Sequence, residues 1–136
     1  MARKPRAYVF DAWAMLAYLE DEPSAAQIAD MISTANEQDI PLYLAVVNAG
    51  EVWGTICREL SEAEAETAMK ELRNLRIRME SVDWELAAHA ALLKFQYGVS
   101  YVDAFAAALA SIKRADLVTG NSEMKPLETL IKIHWL

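Results

Sequence analysis

The sequence predicts an α/β protein, a central parallel sheet of about five strands with helices packed against it. Two observations carry this. Short β-prone apolar runs alternate with longer stretches of helical spacing, and capping or turn residues mark most of the boundaries. At 136 residues the chain has the size of one domain, residues 1–136, long enough to bury a full hydrophobic core. Hydrophobic residues make up 54% of it, a mild excess that leans toward a buried subunit or partner surface.

Each element follows in order. Ala7 to Phe10 reads as a buried strand ending at Asp11. A short helical patch from Trp13 to Leu19 is stopped by Glu20-Asp21-Glu22-Pro23. Ser24 and Gln27 have the spacing of a capping box and open a helix to about Asn36. Ile40 to Ala45 is a second strand and Val46 to Leu60 a helix; Ser61 with Glu64 caps another that ends near Leu75. Arg76 to Val82 alternates charged and apolar residues, as a half-exposed strand does. Asp83 caps Trp84 to Tyr97, which Gly98 ends, and Ser100 caps Tyr101 to Arg114. Asp116 to Thr119 is a strand, Gly120 to Leu127 a loop or short helix, and Ile131 to Leu136 a last strand. Gly50 and Gly54, one helical turn apart, read as a close-packing contact.

Composition excludes several classes. Thirteen basic residues against twenty acidic ones leave a net charge of −7, which rules out a surface that attracts nucleic acid throughout but not a local basic patch. Cys57 is the single cysteine, so there is no internal disulfide, and with only His89 and His134 beside it no structural zinc site. This fits a reducing, cytoplasmic setting. Arg3, Lys4 and Arg6 resemble the start of a signal peptide, but Asp11 interrupts the apolar stretch after them. The longest uncharged run, Ile40 to Gly50, is too short to span a bilayer, so no membrane is expected. The glycines form no phosphate loop, and there is no nucleophile elbow. His89 lies on an apolar run and reads as a core or rim histidine; Cys57 reads as a packing residue. Carboxylates remain.

Asp11 follows the first strand, where an open parallel sheet presents its ligands, and it has equal claim to be the N-cap of the next helix. Glu51 stands in the first turns of the helix after the second strand, on a polar stripe with Asn48, Thr55 and Arg58 opposite Val52, Ile56 and Leu60. Asp103 begins a helix that is apolar on every side, so its carboxylate is costly to bury unless Ser100 capping or a cation compensates it. All three acids fall on one edge of the sheet. Converging carboxylates repel unless a divalent cation neutralises them, and oxygen-only ligation selects magnesium, with manganese able to substitute. Hydrated magnesium held by acids is the usual apparatus for attack of water on a phosphodiester.

The ordered set Tyr-Val-Phe-Asp11, Asn-Ala-Gly-Glu51-Val-Trp, Ser-Tyr-Val-Asp103-Ala-Phe and Leu-Val-Thr119-Gly-Asn121 resembles PIN-domain nucleases, and more narrowly the VapC toxins of VapBC toxin–antitoxin pairs. The resemblance covers nearly the whole chain. It implies a PIN-like three-layer α/β/α sandwich, a magnesium-dependent endoribonuclease with Asp11, Glu51 and Asp103 as catalytic and metal-holding residues, and inhibition by a VapB-like antitoxin. One departure stands out: the family often has an acid after Thr-Gly, whereas this chain has Asn121, with Glu123 two residues later. An amide attracts a second cation less strongly, so one well-occupied ion is expected, with Asn121, Glu123 and Thr119 as secondary residues. The alternative is a PIN-like RNA- or protein-binding module with weak or no catalysis. Arg58, Arg73 and Arg76, within the basic stretch that reaches Arg78, are candidates for substrate or antitoxin contact. The apolar patch Trp13 to Leu19, set beside Ile28, Ala29, Met31 and Ile32, suggests a homodimer that also takes an antitoxin peptide.

Overall fold

Period-two alternation of side chains buries the sheet on both faces. In the computed structural model, which describes residues 4–136, five strands line up in the order β3-β2-β1-β4-β5, every pair parallel. They are β1 Tyr8–Phe10, β2 Leu42–Ala45, β3 Ile77–Glu80, β4 Asp116–Thr119 and β5 Ile133–Trp135. Val9, Tyr43 and Leu117 belong to one apolar cluster; Phe10, Leu42, Leu44 and Val118 belong to the other. Helices α5 Trp84–Tyr97 and α6 Tyr101–Lys113 cover the first face. Helices α1 Ala12–Leu19, α2 Ala25–Glu37, α3 Val46–Glu59 and α4 Glu62–Asn74 supply the second. The result is the expected three-layer α/β/α arrangement around a parallel five-strand sheet.

The middle of helix α6, residues 104–110, is buried on all sides, and five of its seven side chains are alanines. Ala104 and Ala106 to Ala108 are fully inaccessible, which lets the helix lie close under α5 and over β1. Its N-terminus is capped as expected, Ser100 Oγ accepting from the Asp103 N–H at 3.1 Å. Ser61 and Asp83 cap α4 and α5 in the same way, and Gly98 ends α5 in the left-handed region at φ 72°. Arg114 takes the left-handed position after α6 without being a glycine.

Four expectations are corrected. Ser24 does not cap α2: its backbone is already helical, and Gln27 instead meets His134 Nε2 at 3.2 Å. Strands β2 and β5 start two residues late, because the Ile40 and Ile131 N–H groups are taken by Ala35 and Leu127 carbonyls. Gly50 and Gly54 make no close contact, since a Cβ at either would meet nothing within 4 Å. Ile28 and Ile32 are core residues of the second face, so the apolar surface expected around them is mostly internal. Arg3, part of the basic start, lies outside the described residues. Among the described residues no helix is long and apolar enough to cross a membrane.

From β1 the chain builds outward through β2 and β3 on one side and then crosses back to place β4 and β5 on the other, so the winding reverses between β1 and β4. The crevice beyond the carboxyl ends of β1 and β4 is therefore the topological switch point, where open parallel sheets bind ligands.

Candidate active site

Asp11 leaves β1 directly into that crevice and is 2% exposed. It is the N-cap of α1 and still borders the crevice. Oδ1 accepts the Ala14 N–H at 2.8 Å and caps α1, while Oδ2 accepts from the Thr119 hydroxyl at the end of β4. Thr119 Oγ1 in turn accepts the Asn121 N–H at 3.0 Å, so the loop after β4 is tied to the acid after β1. Burial raises the Asp11 carboxyl to about 7, against the downward pull of the Thr119 and Ala14 bonds, and the charges of Asp103 and Glu51 push it further up.

Asp103, half-buried in the first turn of α6, turns its Oδ2 toward Asn121 Nδ2 at 3.4 Å. Asn121 Oδ1 accepts the Glu123 N–H at 3.0 Å and caps the 3₁₀ segment Ser122–Thr129. That bond fixes the amide so that it offers N–H, not oxygen, to Asp103. Glu123 itself is exposed. Glu51, on α3, is the most open of the three acids; partial desolvation raises its pKa first, the Asp103 charge adds to that, and a bond from Asn48 opposes it. Asp103 thus repels both other acids, and the three share one electrostatic pocket.

Sequence reasoning missed Asn48, placed on a polar stripe and given no role, but 1% exposed. Its Nδ2 donates to the Val102 carbonyl at 3.1 Å, joining the start of α3 to the start of α6 and so the Glu51 helix to the Asp103 helix. Its Oδ1 is buried with no hydrogen-bond partner among the described residues. The signal was available: a lone amide inside Val46-Val-Asn-Ala, one turn before Glu51. Leu60, expected on the apolar side of that stripe, is 71% exposed.

The basic candidates are not gathered here. Arg58 is in the last turn of α3, two turns beyond Glu51, and Arg73 is in the last turn of α4. Arg76 precedes β3, at the amino edge of the sheet, opposite to the acids, where it lines a cleft of about 510 Å³ with Tyr18, Ala29 and Asn36.

As placed, among the described residues no three His, Cys, Asp or Glu side chains form a ready metal cage. Magnesium does not need one: it keeps several waters and binds through one or two carboxylates. A pocket of three mutually repelling acids, one pushed to about 7, beside an orphaned buried amide oxygen, fits a hard cation better than it fits nothing.

Comparison with known proteins agrees with this fold. No curated protein matches the sequence. Among solved structures the chain is similar to VapBC of Salmonella typhimurium bound to DNA, with a TM-score of 0.75 at 14% identity over 94% of this chain and 96% of that one. It is similar to VapBC2 of Rickettsia felis bound to a promoter DNA fragment, with a TM-score of 0.74 at 14% identity over 96% and 99%. It is also similar to VapC20 of Mycobacterium tuberculosis, a toxin that cleaves the sarcin–ricin loop, at 0.68 and 16% identity over 88% and 93%. These likenesses establish a shared fold. Residues 8–128 match the family model of the PIN domain, and the chain belongs to the PIN domain family.

Proposed function

We propose that this PIN domain is a magnesium-dependent endoribonuclease and the toxin of a VapBC-type pair. The observation that supports it most is the buried Asp11 carboxyl, raised to about 7 and flanked by Glu51 and Asp103 at the switch point of the sheet. Asp11 and Asp103 are the residues to hold the ion, Glu51 the more open third. A magnesium or manganese ion held there supplies Lewis-acid activation of water and neutralises charge at the phosphate. Glu51, with its raised pKa and open position, is suited to take the proton of the attacking water. Thr119 and the Ala14 N–H orient Asp11, and Asn121 orients Asp103 as a hydrogen-bond donor. The test is incubation of the purified chain with RNA and magnesium: cleavage that chelation stops supports the reading. RNA bound but uncut under all divalent ions would favour the alternative, a binding module in which Asn121 has replaced the fourth acid.

A VapB-like antitoxin is the proposed protein partner, since VapBC complexes share this fold. A homodimer is also proposed, on a different surface from the one the sequence suggested. Trp84, Leu92 and Phe95 are 82%, 49% and 86% exposed on α5, and their spacing of eight and three residues puts them on one helix face. Phe95→Glu is expected to halve the mass seen by light scattering at high micromolar concentration; an unchanged mass removes α5 from the interface. An RNA target and the absence of disulfide chemistry fit a cytoplasmic setting.

A further inference from the structure

Trp13 stands two residues after Asp11 and keeps 40% of its surface exposed. Its place is set by Gly120. A Cβ there would lie 2.3, 2.4 and 2.6 Å from the consecutive ring carbons Cη2, Cζ3 and Cζ2. Three nearly equal distances put the indole face-on over the glycine, since an edge-on ring would leave the two flanking carbons much farther away. One π face is therefore pinned to the backbone between Thr119 and Asn121, and only glycine leaves room for it. Beyond that contact the indole borders a cleft of about 500 Å³ with Leu16, Ala17, Pro23, Glu20 and Glu22. Gly120 also lines a second cleft of about 410 Å³ that carries both Lys125 and Glu128.

We propose that Trp13 is the stacking platform for the nucleobase adjoining the phosphodiester that the acids cleave, an inference that rests on the nuclease reading above. Seated on Gly120, the indole still keeps 40% of its surface open, two residues from Asp11. Pinned against Gly120, it has no rotamer freedom to lose when a flat ligand lands on it. Leu16, Ala17 and Pro23 suit a base, whereas Glu20 and Glu22 repel phosphates. The base is thus drawn to the Trp13 cleft while the backbone is left to the ion at Asp11 and Asp103. Stacking of this kind accepts any base, so it positions the strand without choosing its sequence.

The test compares adenosine 5′-monophosphate with ribose 5-phosphate, which lacks the base, by calorimetry on the full chain with magnesium. The monophosphate is expected to bind about tenfold more tightly than the sugar phosphate, a difference that Trp13→Leu removes and Trp13→Phe largely keeps. Gly120→Ala, which displaces the ring without deleting it, is expected to weaken the nucleotide as well, and circular dichroism confirms folding of each variant. On RNA that the wild type cleaves, Trp13→Leu is expected to raise KM about tenfold, more than it changes kcat. Equal affinities for the two ligands in the wild type, or an unchanged preference in folded Trp13→Leu, overturns the proposal. A change in mass by light scattering with no change in nucleotide preference overturns it too, by making Trp13 a protein contact. If the wild type cleaves no RNA, the nuclease reading falls, while the two-ligand comparison still decides whether Trp13 stacks bases.

Discussion

Asp103→Asn is expected to lower RNA cleavage by about 100-fold or more while leaving the protein folded. The cap of α6 uses the backbone N–H of residue 103 on Ser100 Oγ, so an amide side chain leaves it in place. An Asn oxygen also still accepts from Asn121 Nδ2. What disappears is one negative charge from the middle of the pocket. Because that charge raises the pKa of both Asp11 and Glu51, its removal makes those two easier to ionise, not harder. Lost activity therefore reports lost cation binding and not protonation of a neighbour. Activity equal to the wild type, with an unchanged melting temperature, takes Asp103 out of the site.

The second large effect is on stability. Asp11 has its folded pKa raised from 3.8 to about 7, so the folded state holds the proton more tightly than the unfolded chain. The stability this group contributes is complete below about pH 4 and is lost as pH rises through about 7, on the order of 4 kcal/mol in all. Glu51 shifts in the same direction. Between pH 5 and 8, in chelator, the melting temperature is therefore expected to fall as pH rises, by roughly 10 °C for a chain of this size. Asp11→Asn is expected to flatten that slope, because an amide oxygen still caps the Ala14 N–H and the side chain no longer titrates. Magnesium is expected to restore the wild type at pH 8, to do little at pH 5 and to do little for Asp11→Asn. A melting temperature indifferent to magnesium at pH 8 counts against a cation at Asp11.

Much of this was legible in the residues. Asp11, Glu51 and Asp103 each stand at the end of a strand or the start of the following helix, so their place on one edge of a parallel sheet was legible from position. Alternation along Tyr8 to Phe10 and Leu42 to Ala45 could not say which face was which, but a strand apolar on both sides already required helices above and below. What failed were inferences from a single helix considered alone. Asn48 read as one member of the polar stripe along α3, yet α6 lies over the start of α3 and encloses it. Ser24 had the right spacing for a capping box and the wrong backbone, since the turn from Glu22 to Ala25 makes it helical first. The arginines at 73 and 76 are close in sequence to nothing at the acid edge; only the topology, which places the start of β3 at the amino edge, separates them from it. Trp13 read as part of an apolar patch, and its contact with Gly120 joins residues 107 positions apart, beyond any local pattern.

The central claim is that Asp11, Glu51 and Asp103 hold a divalent ion for hydrolysis of RNA, and end-group analysis of the cleaved RNA tests it most directly. Fragments with 5′-phosphate and 3′-hydroxyl ends, formed with magnesium and absent after chelation, are the expected result. Fragments ending in a 2′,3′-cyclic phosphate, or cleavage that survives chelation, contradict it.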